Sequence, residues 1–219
     1  MPAMALALTC AWAHASQCFG RPGQGRLEGG VQLPLSGANF SAYSEVAVKA
    51  GRTYLHATTA SVVVAAYARL NASMPGARYV YGETGLQSGG IFKPHKTHQN
   101  GLSIDFFVPV RDAAGNSVLL PTRTQKRFGY DIEFDRNARY QEDRIDFPAL
   151  AEHLYELDVA ARQRGSQIDK VILDTDFLPM LFGTKRGPWL KDHLPFMLGK
   201  PWVRHDEHYH VDFSLPCKP

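Results

Sequence analysis

Two short segments concentrate the residues that could do chemistry. In "IFKPHKTHQNGLSIDFFVPV", His95 and His98 lie three apart and Asp105 follows seven residues later, inside the apolar run of Ile104, Phe106, Phe107 and Val108. A carboxylate set in such a run has to be satisfied by a partner or a metal. The second segment, "RHDEHYHVDF", carries His205, His208 and His210 within six positions. Side chains two apart on a strand share a face, so His208 and His210 would project into one site. A lone histidine is more often a satisfied core or surface residue than a ligand, and that bland reading suits His14, His56, His153 and His193. It fits poorly where five of the nine histidines gather in two short segments with an aspartate, because several imidazoles on apolar strands need a shared partner.

Zinc is the economical partner. A catalytic zinc site takes three protein ligands and keeps a fourth position for water, and nitrogen and oxygen donors without thiolate suit a hydrolase. His98, Asp105 and one histidine of the His208/His210 pair supply that set. The surplus imidazoles can then serve as the base and the oxyanion donors that metal-assisted hydrolysis requires. A two-histidine phosphoesterase would need two His-x-Thr/Ser units. His95-Lys96-Thr97 is one, but the residues two after His205, His208 and His210 are Glu207, His210 and Asp212, so the second is lacking.

Helices and strands without a βαβ rhythm must position these groups. The spacing predicts a helix over Thr58 to Ser73, ended by Pro75-Gly76, and a strand from Arg78 to Gly82. Leu102 to Val108 reads as a strand, "YDIEFD" (Tyr130 to Asp135) as a half-buried strand, and Asp146 to Gly165 as a helix with an Asp N-cap and a C-terminal Gly. "DKVILD" (Asp169 to Asp174) reads as a buried strand, Pro179 to His193 as helical pieces, and Glu207 to Leu215 as a closing strand. The fold class is therefore α+β, one domain with a central antiparallel sheet that carries the zinc site and is flanked by helices. Trp189, Trp202 and Tyr209 read as packing, and Glu83 in "GETG" as a turn residue rather than a substrate contact.

Composition sets the remaining bounds. A chain of 219 residues, 44% hydrophobic and 21% charged, suits one globular domain. The net charge of +3 is spread rather than gathered into a stripe, so nucleic acid is not indicated, and no later run is long enough for a stable membrane span. Residues 1–15 hold an apolar stretch from Met4 to Ala13 and then the small-x-small pattern Ala13-His14-Ala15. They read as a signal peptide, with residues 16–219 as the mature domain. Cys10 follows Ala7-Leu8-Thr9, a poor lipidation box, so cleavage and release are expected over anchoring. The segment "FGRPGQGRLEGG" reads as a loop. The two mature cysteines, Cys18 and Cys217, form an even pair in an exported chain, which argues for a disulfide tying the ends together.

At this point the residues resemble a known group. His98-x6-Asp105 with a distant His208-x-His210 is similar to the pattern of the lysostaphin, D-Ala-D-Ala peptidase and hedgehog group of zinc proteins. The finer match, His95-x-x-His98-Gln99-x-Gly101-Leu102-x-Ile104-Asp105 with His205-x-x-His208-x-His210-Val211, resembles the penicillin-insensitive murein endopeptidases. The resemblance implies one zinc ion per chain on His98, Asp105 and His210. It implies His208 as the non-ligand imidazole that assists catalysis, His95 as a transition-state stabiliser and His205 as a supporting residue. It also implies peptidoglycan as the substrate, cut at D-Ala to diaminopimelate crosslinks, in the periplasm or outside the cell. Cell-wall-spanning secretion machinery is a further partner class. Ser103 stands where close relatives commonly carry a second Asp, which bears on the tuning of the metal ligands. The runner-up activity is a D,D-carboxypeptidase or dipeptidase acting on stem-peptide ends; a third reading is a zinc-retaining wall-binding protein without activity.

Overall fold

The structure, a computed structural model, describes residues 16–201 and 203–219. Its centre is a five-stranded sheet in the spatial order Gln167–Ile172, His208–Ser214, Ser103–Phe107, Tyr79–Tyr81, Phe40–Ala42. Strand Ser103–Phe107 lies antiparallel to His208–Ser214 with His210 opposite Asp105, Tyr209 opposite Phe106 and Asp212 opposite Ser103. The period of two then sorts the side chains. Ser103, Asp105, His208, His210 and Asp212 share one face; Ile104, Phe106, Tyr209, Val211 and Phe213 share the other.

The apolar face is covered by helices Ala57–Ser73 and Phe147–Arg162. Tyr67 of the first meets the Phe106 ring edge-on at 6.3 Å, and His153 of the second does so at 4.6 Å while bonding the Tyr209 hydroxyl. Phe106 and Tyr209 are wholly buried, and burying a side chain of that size stabilises by about 1.5–3 kcal/mol. Asp146 caps the second helix by accepting from the Ala149 amide at 3.2 Å. His153, His56 and His193 have the structural roles expected. His56 Nδ1 accepts from the Thr58 amide at the helix start, and His193 bonds the Trp189 carbonyl. Trp189 packs between Tyr155 and His193. Trp202, His14, Cys10 and the expected signal segment lie outside the described residues.

Four expectations are corrected. The sheet is not wholly antiparallel, since Phe40–Ala42 and Tyr79–Tyr81 pair in parallel. Helix Ala57–Ser73 lies between them in sequence, and a crossover of that length returns the chain in its original direction. "YDIEFD" forms no strand: Ile132 and Phe134 are buried as the alternation suggested, but they anchor a loop, and the Phe134 amide donates to Asp206 Oδ2 at 2.7 Å. "FGRPGQGRLEGG" is no loop either. It builds the hairpin Gln17–Arg21/Gln24–Glu28, with Cys18 opposite Leu27 and both buried. The strand expected at Asp169 to Asp174 runs Gln167–Ile172, where it is the sheet edge and exposes Asp169 and Lys170.

The hairpin braces the loop that carries the first histidines. The Leu27 amide donates to Ser88 O and the Gln99 amide to Pro22 O, both at 2.9 Å. Cys18 and Cys217 are joined, with a Cα–Cα distance of 4.8 Å across a sequence separation of 199. Cys18→Ala/Cys217→Ala is therefore expected to lose about 4–5 kcal/mol on the chain-entropy account of so long a loop. Urea unfolding checks this: an unchanged midpoint would show that the bridge contributes nothing to stability.

Candidate active site

His98 sits at φ 66, a left-handed conformation costing an L-residue roughly 1–2 kcal/mol. Neighbouring backbone bonds hold it there, with Gly90 N–H on Gln99 O at 2.8 Å in addition to the Gln99 tie to the hairpin. Gly101, at φ 77, admits only glycine, because a Cβ there would lie 2.6 Å from the His56 nitrogen. The turn so formed delivers His95 and His98 to the polar face of the sheet, over Asp105.

Asp105 is the hub. Its Oδ1 lies 3.3 Å from His98 Nε2 and 2.9 Å from His210 Nδ1; its Oδ2 lies 3.6 Å from His95 Nδ1 and accepts from the Tyr130 hydroxyl at 3.0 Å. Among the described residues, ligand-type atoms of His95, His98 and Asp105 all fall within 4.8 Å of one another. His210 is outside that trio and joins through Asp105, its ring centroid 4.8 Å from that of His98. The imidazoles are individually anchored. His98 Nδ1 donates to Thr84 O at 3.1 Å, and its Nε2 is buried with no hydrogen-bond partner. His210 Nε2 donates to Asp212 Oδ1 at 2.8 Å, His208 Nδ1 to Glu207 at 2.7 Å, and His95 Nε2 meets Glu83. His205 Nδ1 donates to Val203 O at 2.7 Å, and its ring lies 4.6 Å from that of His208.

These contacts set the charges. Burial pushes His98 down, against the pull of Asp105, leaving a neutral ring with an available Nε2 lone pair. Burial also works to neutralise Asp105, but the surrounding histidines, His98 and His208 foremost, hold its carboxyl well below the usual range. In His210, burial is outweighed by Asp212 and Asp105, which raise it to about 10. In His208 it is outweighed by Glu207 and Asp105, which also raise it. Burial lowers His205 to about 4 and raises Glu207. Glu83 is held down at about 2 because bonds from His95 and Arg52 overcome its burial.

A metal fits this donor set. An orphaned buried imidazole nitrogen faces an ionised carboxylate, a second imidazole approaches the same oxygen, and each ring has its other nitrogen tied to a backbone or carboxylate acceptor, the usual supporting arrangement around a metal. The negative field that holds a proton on His210 is one that a cation can neutralise instead.

All six residues singled out by sequence lie together. His95, Asp105, His205, His208 and His210 line one cleft of about 730 Å³, with His98 wholly buried beneath. Several supporting residues were not foreseen. Glu83, expected as a turn residue, is buried and accepts from Tyr43, Arg52 and His95. Glu207 and Asp212 back His208 and His210, and Tyr130 bonds Asp105. The only signal for Glu207 and Asp212 was carboxylates alternating with histidines in one strand. Ser103 Oγ, on the neighbouring strand, donates to Asp212 Oδ1 at 2.6 Å and so steadies the carboxylate that backs His210 from two places along its own strand.

A cleft of carboxylate-backed imidazoles around one buried aspartate, set on the face of a sheet, defines a hydrolase-type site. The family model for penicillin-insensitive murein endopeptidase matches residues 18–219, and the chain belongs to that family. It is thus a murein endopeptidase by family, with peptidoglycan as its substrate class. No curated protein compared with the chain matches it.

Proposed function

We propose that the chain is an exported zinc endopeptidase that hydrolyses D-Ala to diaminopimelate crosslinks between peptidoglycan stem peptides. One observation carries the metal reading: the unpartnered, buried His98 Nε2 lying 3.3 Å from Asp105 Oδ1. His98, Asp105 and His210 would hold the ion. When bound, zinc supplies Lewis-acid polarisation of the scissile carbonyl and lowers the pKa of water. His208, held by Glu207 through Nδ1, would take the proton of the attacking water as the C–O bond forms and deliver it to the departing amine as the C–N bond breaks. His95, fixed by Glu83, faces the same cleft and stabilises the transition state; His205 supports His208 from beside it.

Export is supported by three observations. The substrate lies outside the cytoplasm, residues 1–15 have signal-peptide composition, and the Cys18–Cys217 bridge suits an oxidising compartment. Among the described residues no helix is long and apolar enough to cross a membrane.

The test is digestion of purified peptidoglycan followed by mass spectrometry of the fragments. Crosslinked dimers should fall and monomers rise, with new D-Ala carboxyl termini. Loss of terminal D-Ala with dimers intact would instead establish a carboxypeptidase, and unchanged fragments a binding protein.

A further inference from the structure

Tyr130 belongs to neither histidine segment, yet it touches the carboxylate on which both converge. Its hydroxyl lies 3.0 Å from Asp105 Oδ2 and 3.0 Å from the Glu83 backbone nitrogen. That amide can only donate, so the tyrosine oxygen accepts there and its single proton goes to Oδ2. Asp105 therefore presents two unlike oxygens. Oδ2 is capped; Oδ1 faces His98 Nε2 at 3.3 Å and His210 Nδ1 at 2.9 Å. A carboxylate free to turn about its Cβ–Cγ bond would offer either oxygen, or both, to a cation.

The tyrosine is itself held. Its ring stands edge-on to His208 at 5.1 Å and to His95 at 5.9 Å, and packs on Phe107 at 5.1 Å. Positive φ angles at Arg127, Phe128 and Gly129 turn the backbone to bring it there. Gly82 leaves the space for its hydroxyl, since a Cβ at that position would lie 2.8 Å from the tyrosine oxygen.

We propose that Tyr130 is a positioning residue for the metal. By holding Oδ2 it makes Asp105 a one-oxygen ligand through Oδ1, on the side of His98 and His210, and leaves His95 outside the coordination sphere for work on the substrate. This inference rests on the zinc reading above, and the experiment separates the two.

Tyr130→Phe keeps the ring and removes only the hydroxyl, and circular dichroism of the metal-free variant verifies the fold. Competition with a chromophoric chelator should then show zinc bound about 10–100-fold more weakly than in wild type. The visible spectrum of the cobalt-substituted variant should change, because Asp105 is no longer confined to one oxygen. Gly82→Ala, whose Cβ would lie 2.8 Å from the hydroxyl and 3.1 Å from Asp105 Cβ, disturbs the same contact from both of its partners and should reproduce both changes. Wild-type affinity in both variants overturns the role of Tyr130 and leaves the zinc site standing. Weaker binding with an unchanged cobalt spectrum also overturns it, since general loosening would produce that result. A wild-type chain that takes up no zinc overturns the site and this inference together.

Discussion

Asp105→Ala is expected to reduce zinc from about one per chain to near none and to lower crosslink cleavage by about a thousandfold or more. The reason is the convergence on this side chain. Asp105 Oδ1 is the anionic atom approached by both His98 Nε2 and His210 Nδ1, so its removal leaves two buried imidazoles with no carboxylate between them. A thousandfold corresponds to about 4 kcal/mol of barrier, within the several kcal/mol that Lewis-acid stabilisation supplies. Asp105→Asn keeps the volume and one oxygen but loses the charge, and it should fall between wild type and alanine in zinc affinity. Elemental analysis beside turnover measures both effects. Equal zinc in wild type and Asp105→Ala would remove Asp105 from the ligand set.

The centre of this site was legible because its residues break a local rule. An ionisable Asp105 among Ile104, Phe106 and Phe107 has no cheap structural explanation, and His208 and His210 at strand spacing point the same way. The helix over Phe147–Arg162 was legible for a similar reason, since its Asp146 cap and terminal Gly165 are local chemistry.

What was missed is long-range. Tyr130 and Asp105 are 25 residues apart, and Ser103 and Asp212 are 109 apart, distances over which no periodicity operates. "YDIEFD" illustrates the limit. Its alternation correctly marked Ile132 and Phe134 as buried, but among the described residues no strand lies alongside to complete a ladder, and the preceding residues at positive φ turn the chain into the cleft. The N-terminal hairpin was hidden by its glycines, which read as loop. Gly20, at φ 64 and with Gln24 O close by, shapes the tight turn that lets the two strands pair.

His208 and His210 lie on one strand face, and their replacement by alanine is expected to have different consequences. His210→Ala should lose zinc and activity together, because His210 approaches Asp105 Oδ1 through Nδ1 while Asp212 fixes its other nitrogen. In His208 it is Nδ1 that is tied, to Glu207, and the ring stands against Tyr130 and His205 rather than over Oδ1. His208→Ala should therefore keep its zinc and lose the proton carrier, about 2–4 kcal/mol of barrier lowering, or roughly a hundredfold to a thousandfold in turnover. His95→Ala provides the third arm, because His95 shares close quarters with His98 and Asp105 and competes with His210 as the third ligand. With Oδ2 capped by Tyr130, His95→Ala should retain zinc at wild-type stoichiometry. Zinc content and turnover on crosslinked stem peptides for the three variants decide the assignment. Zinc lost from His95→Ala but kept in His210→Ala would transfer the third ligand to His95, and zinc lost from His208→Ala alone would make that residue the ligand.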